Sequence, residues 1–229
     1  MEYREKAEKA GEKLMEYYKA TDWKISKISQ EVSVENFEKE VTVSHKQSAE
    51  FDGHIYKAEC ILDGEPDEII KYVIPAPFGV RESWDKTIKS SEIIHSEDED
   101  FFIVRSQTHS SAMGLISSRD FVDAVILKHL DDDGIVCTNS ISIEHPDCAA
   151  KDECIRGFNH PGGTFCVPEP GDAMKTKVVT FLQSDLCGML PRTLVETALP
   201  NTMIDFFIGL KTAIDNDLLH KPPNADDKA

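Results

Sequence analysis

The chain has 229 residues, of which 25 are basic and 42 acidic, for a formal net charge of -17. That balance excludes nucleic acid as a partner, because neutralising phosphates needs a basic surface, and it disfavours tight electrostatic adsorption to anionic lipid headgroups. Hydrophobic residues make up 40% of the chain, enough for a packed core and too many for a disordered segment.

The N-terminus Met-Glu-Tyr-Arg-Glu-Lys is charged at once and carries no apolar h-region, so no secretory signal is expected. No stretch approaches the roughly 18 to 20 apolar residues that span a bilayer. The six cysteines, Cys60, Cys137, Cys148, Cys154, Cys166 and Cys187, form no CxxC pair. They read as reduced thiols of a cytoplasmic protein.

In chain order, residues 2–20 set Ala7, Ala10, Leu14 and Tyr17 or Tyr18 at helical spacing among charges, which predicts an amphipathic helix. Trp23 to Ile28 reads as a short strand, and a charged loop follows around Glu35 to Glu40. Val41 and Val43 alternate with Thr42 and Ser44, and alternation resumes from Ile55 to Leu62 after the Asp52-Gly53 turn signal, so the two form a hairpin. Pro66 opens a helix that must end near Pro75 and Pro77. Arg81 to Ile88 is read as a second short helix, with Trp84 as packing.

Strand-like runs then follow one another: Ile93-Ile94, Phe101 to Thr108, Phe121 to Leu130, Ile135 to Ile143, Ile155 to Val167 and Lys177 to Asp185. Turns such as Asp131-Asp132-Asp133-Gly134 separate them. Nothing between these runs is long enough for a crossover helix, so the sheet must be antiparallel. Leu194 to Ile214, after Pro191, shows a helical apolar stripe. Pro200 lies within it and should bend the helix into a lid that can open locally. Lys221 to Ala229 is read as a loose tail. The expectation is an α+β domain over residues 1–220, with a curved antiparallel sheet of about nine strands. One long C-terminal helix cannot fill so large a concave face, so the half-barrel can keep a hollow interior.

Three stretches resemble a known family. Ser118-Arg119-Asp120-Phe121-Val122 follows the Ser-Ala-Met-Gly-Leu-Ile loop. The run Arg156, Gly157, Phe158, Asn159, His160, Pro161, Gly162 and Gly163 leads on to Cys166. The third is Ser184-Asp185-Leu186 with Gly188 and Leu190-Pro191, just before the last helix. In order and spacing they resemble the StAR-related lipid-transfer (START) domain, over residues 10 to 216. The resemblance is greatest to the small single-domain subfamily that carries cholesterol, oxysterols or bile acids. It implies a helix-grip fold with a hydrophobic tunnel for one lipid, gated by the loop before Arg119 and by the C-terminal helix. Sterol-carrying relatives hold a buried acid and arginine pair in that tunnel. The matching positions here are Ser106 and Val125, which implies a ligand held by burial and a few neutral polar contacts.

Alternation puts Phe121, Asp123, Val125 and Leu127 on an inward row, and Cys137, Asn139 and Ile141 on one face of the next strand. Ser106, Thr108, Cys137 and Asn139 would then receive a ligand hydroxyl, unless they bond their own backbone or a buried water. The C-terminal helix offers Leu199, Met203, Phe206, Phe207 and Leu210, of which at least half serve as plain core. Met113, Leu115 and Ile116 are read as the mouth and as the site of transient membrane contact. Arg119 and Asp120 are read as a structural ion-paired corner.

His145, Cys148, Cys154 and His160 lack the tight knuckle spacing of zinc sites, so no metal is expected. Nor is any cofactor, since Walker, dinucleotide and GxSxG signatures are absent. Asp123 is the one carboxylate on an inward row and has no base partner, which argues against a helix-grip enzyme of the polyketide cyclase type. A carotenoid binder stays open, whereas a phospholipid would want basic residues inside the cavity. The reading is a monomeric carrier of one sterol, bile acid or related lipid.

Overall fold

The computed structural model describes residues 2–28, 41–130 and 134–217. The charged stretch at 35–40, the aspartates of the 131–134 turn and the tail at 221–229 lie outside the described residues. Helix α1 (Glu2–Lys19) precedes strands β1 (Lys24–Ile28), β2 (Thr42–Gln47) and β3 (His54–Asp63). Helix α2 (Pro66–Val73) leads to β4 (Ile88–Ser96), β5 (Phe101–Thr108), β6 (Arg119–Leu130) and β7 (Ile135–Ser142). Short strands β8 (Ile155–Arg156) and β9 (Phe158–Asn159) come before β10 (Gly162–Glu169), β11 (Asp172–Leu182) and β12 (Ser184–Asp185). Helix α3 (Arg192–Asp215) closes the described chain and runs through Pro200 without interruption.

Nine strands pair in the order β1-β2-β3-β11-β10-β7-β6-β5-β4, each antiparallel to its neighbour. Among the described residues the ladder stays open at both ends, and the short strand β8 adds to β6 in parallel. α1 covers the outer face: Leu14 sits fully buried among Cys137, Phe165, Val179 and Phe181, and Ala7 against Phe101, Val122 and Ala124. Burying Leu14 contributes about 2 kcal/mol. Gly11 allows the close approach, since a Cβ there would fall 2.5 Å from the Asn139 amide nitrogen. On the inner face, α3 presses Leu199, Met203, Phe207 and Leu210 onto Val43, Ala58 and Cys60. This is the helix-grip arrangement.

Three expectations change. Arg81 to Ile88 is not a helix but a 3-10 turn at Arg81–Ser83 that leads into β4. There the Asp85 carboxylate accepts from the Thr87 backbone N–H at 3.0 Å and its hydroxyl at 2.6 Å, drawing off groups a helix would need. Trp84 does pack, donating its indole N–H to the Tyr72 carbonyl at 2.9 Å with its ring beside Phe206.

The run from Ile155 to Val167 is broken into β8, β9 and β10. Gly157 leaves the run to donate to the Asp120 carbonyl, and Pro161 has no N–H to offer a ladder.

Arg119 and Asp120 do not pair with each other, because adjacent strand positions point to opposite faces. Asp120, only 1% exposed, receives both Arg105 and Arg156, at 2.6 to 3.0 Å. The same guanidiniums donate to the carbonyls of Cys148 and Ala149 and pin that loop to the outer face. Burial alone would raise the Asp120 pKa. The two guanidiniums overcome it and hold the carboxyl below its ordinary value. Because the folded-state value lies below the unfolded one, this stabilisation is fully present above about pH 4 and drains away as pH falls further. Asp120→Asn is therefore expected to cost about 3 kcal/mol at pH 7. In urea unfolding, its deficit against the wild type should shrink steadily as pH falls below about 4.

Candidate functional site

A cavity of about 470 Å³ lies between the inner faces of β5, β6, β7, β10 and β11 and the underside of α3. Small-molecule pockets span about 300 to 1,000 Å³. Both sides carry apolar and polar groups. From α3 come Leu199, Met203, Phe206 and Phe207 with Thr202 and Asp205, and from the sheet come the hydroxyls of Ser106, Thr138, Thr164 and Thr180 and the carboxyl of Asp123, with Phe121 and Phe181. Phe102, Val104 and Val125 form an apolar patch between the polar groups.

Of the expected site residues, Ser106, Thr108, Asp123, Val125, Leu199, Met203, Phe206 and Phe207 line the cavity. Leu210 does not; it is fully buried in the core one turn further along α3. Met113 and Leu115 stand outside the cavity on the 3-10 turn Ala112–Gly114 and just after it, 100% and 64% exposed, and only Ile116 turns inward.

Cys137 and Asn139 are on the wrong side. They face α1, with Cys137 among the residues around Leu14 and Asn139 against Gly11. The inward positions of β7 are instead Thr138 and Ser140. The cross-strand register explains the reversal: Asp123 stands opposite Ser142, Val125 opposite Ser140 and Leu127 opposite Thr138. Directly opposed residues share a face, so the row starting at Phe121 selects the even-numbered side of β7. Alternation alone gives two phases for β7, and only the pairing register chooses between them.

Most of the wall hydroxyls are already engaged. Thr108 accepts from the Arg119 backbone N–H at 3.1 Å, Thr138 accepts from the Thr164 N–H at 3.1 Å, and Ser140 donates to the Gly162 carbonyl. Thr164 and Thr180 share a hydrogen bond at 3.1 Å. The Ser106 hydroxyl has no protein partner among the described residues. Asp123 accepts from Ser142 Oγ at 2.6 Å and Asn159 Nδ2 at 2.8 Å, and burial pushes its pKa up despite these donors. Neither partner is a base. His160, stacked on Phe51 at 4.7 Å, has its pKa lowered by burial. Among the described residues no three His, Cys, Asp or Glu side chains converge on a metal position.

Arg119 also lines the cavity, almost fully buried and with no carboxylate in ion-pair reach among the described residues. Its guanidinium donates to the carbonyls of Ser117 at 2.6 Å, Leu186 at 2.9 Å and Cys187 at 3.2 Å. Burial draws its pKa down. One side chain thus ties the loop before β6 to the loop before α3, both of which contribute residues to the cavity lining.

The START domain family model matches residues 3–217. The chain is 40% identical to StAR-related lipid transfer protein 5 of Mus musculus over 211 residues, 92% of this chain and 94% of that protein. It is 29% identical to StAR-related lipid transfer protein 6 of Homo sapiens over 225 residues, 98% and 96% of the two chains. The solved structure of human StAR-related lipid transfer protein 5 superposes with a TM-score of 0.83 at 36% identity, covering 94% of this chain and 98% of that one.

If Arg119 is the clasp between the two loops, Arg119→Ala should cost about 2 kcal/mol for its lost hydrogen bonds. It should also speed amide hydrogen exchange across residues 186–190 while leaving β10 and β11 protected. Unchanged exchange in that loop would rule the clasp out.

Proposed function

The chain belongs to the START domain family of lipid-binding and transfer proteins, and from that premise we propose that it carries one sterol-like molecule, a cholesterol, an oxysterol or a bile acid, in the cavity beneath α3. The observation that carries this reading is a ligand-sized, largely apolar cavity with a few polar groups: Phe102, Val104, Val125, Leu199, Met203 and Phe207 supply hydrocarbon, and Ser106, Thr138 and Asp123 supply oxygens. A rigid fused-ring lipid with one or a few oxygens on a hydrocarbon skeleton is complementary to such a lining. At Ser106 and Val125, where the resemblance points to a charged pair in sterol carriers, the lining is neutral, so burial holds the guest and polar groups orient it. A carrier also fits the chemistry better than a catalyst does, since Asp123 bonds Ser142 and Asn159 and hydrogen-bonds to no base among the described residues.

In this reading residues 1–220 act as one unit, a monomer of the cytoplasm, which suits six cysteines with no CxxC pair. No helix among the described residues is long and apolar enough to cross a membrane. Membrane contact is brief, and it falls on the exposed Met113 and Leu115 together with Met189 before α3.

Organic-solvent extraction of the protein purified from its host, followed by mass spectrometry, should return about one equivalent of a sterol or bile acid. A carotenoid or phospholipid in its place would overturn the ligand class. Leu115→Asp should slow sterol transfer between vesicles several-fold while leaving the amount of bound sterol unchanged, because Leu115 lies outside the cavity. Transfer at the wild-type rate would remove this loop from the membrane contact.

A further inference from the structure

The chain treats its two inner-strand aspartates in opposite ways. Asp120, on the outer face of β6, is neutralised by two guanidiniums. Asp123, one strand-turn further on and facing the cavity, has no cation within ion-pair distance among the described residues. The arginines whose charge it feels are committed elsewhere, Arg81 to Asp85 at 2.9 Å and Arg156 to Asp120 at 2.8 Å.

What Asp123 does have is a rigid cradle. Ser142 Oγ donates to Oδ1 at 2.6 Å, and the same oxygen accepts the Asn159 backbone N–H at 2.7 Å, so its proton is directed at the carboxylate. Asn159 Nδ2 donates to Oδ2 at 2.8 Å, and the other end of that amide accepts from Ser184 Oγ at 2.6 Å, which fixes which way it points. Each carboxylate oxygen thus receives one protein donor, while an ionised carboxylate offers about four acceptor positions. Phe121 and Val125, its neighbours on the same face of β6, supply none. A structural carboxylate in such a wall would be expected to carry a cation, as Asp120 does. A carboxylate held still and half-satisfied beside a ligand-sized cavity is instead placed to take a donor from the guest.

Resting on the sterol reading above, we propose that Asp123 accepts the ring hydroxyl at position 3 of the bound molecule and so sets which end of the guest lies against β6 and β9. The 3-oxygen is the polar group that cholesterol, oxysterols and bile acids have in common. A hydroxyl there can donate to the ionised carboxylate, which a ketone or ester at the same position cannot; the comparison is therefore made at a pH where the carbon-13 shift of the carboxyl shows it ionised. Asp123 is therefore a specificity-determining residue that favours free 3-hydroxysteroids over 3-oxo and 3-acyl forms of the same skeleton. The hydroxyls of Ser142 and Ser184 and the amide of Asn159 act through it as positioning groups.

The test uses 5α-cholestan-3β-ol and 5α-cholestan-3-one, which share a skeleton and differ in the donor. Wild-type protein should bind the alcohol roughly ten-fold or more tightly than the ketone, the usual scale for a hydrogen bond to a charged group. Asp123→Asn should narrow that ratio to about two-fold. In wild-type protein labelled with carbon-13 at the aspartate carboxyls, one carboxyl resonance should move on adding the alcohol and stay in place on adding the ketone; this readout does not require the variant to fold. Equal binding of the two steroids, a wild-type ratio kept by Asp123→Asn, or no carboxyl resonance that distinguishes them would each overturn the proposal while leaving the carrier function intact. If neither steroid binds the wild type at all, the sterol reading itself falls, and this inference with it.

Discussion

A curved sheet of nine strands has more concave surface than one helix can cover, and the rest of this molecule follows from that mismatch. α3 packs its apolar stripe onto the β2 and β3 half of the sheet, through Val43, Ala58 and Cys60. Across the gap, Phe102, Val104 and Val125 gather in a separate cluster with Ile74. Residues of both clusters line the cavity. Emptying a close-packed interior normally costs stability in proportion to the volume left open. A space of this size is therefore best understood as one made for a guest. Thickness on the other side of the sheet is supplied by α1, whose Gly11 lets it come close enough to seal the outer face.

The division of labour inside the cavity follows from magnitudes. Enclosing roughly 400 Å² of apolar ligand surface would contribute about 10 kcal/mol before the costs of binding. A neutral hydrogen bond adds about 1 kcal/mol. For the proposed guest, affinity would therefore come mostly from the apolar lining, and the polar groups would decide orientation. Most of the wall hydroxyls are already satisfied within the protein, which keeps an empty wall from being heavily penalised. The loops before β6 and α3 are held together by the carbonyl-bound guanidinium of Arg119, an arrangement of neutral acceptors that can be exchanged for water more readily than a buried ion pair.

Much of this was legible in the residues. The hairpin at 42–63, the run from Phe101 to Thr108, the inward row through Asp123 and Val125 and the long C-terminal helix all follow from alternation and helical spacing. What was hidden depended on pairing. The phase of β7 is fixed by its register against β6, and without it Cys137 and Asn139 are as plausible inward as Thr138 and Ser140. The partners of Asp120 come from β5 and from β8, fifteen and thirty-six residues away, so a sequence neighbour such as Arg119 is a natural but mistaken choice. Asn159 joined the site unannounced because β9 folds back beside Asp123 after a break in the strand, and nothing local to Asn159 marks that approach.

The central claim is that the guest sits between the inner face of the sheet and α3. Photolabelling with a diazirine-bearing sterol at one equivalent, followed by peptide mapping, tests it directly. The account predicts label on the inward side of β5 and β6 and on the α3 stretch from Leu199 to Phe207. Label confined to α1 and the outer-face positions Cys137 and Asn139, or spread over the surface, would contradict it.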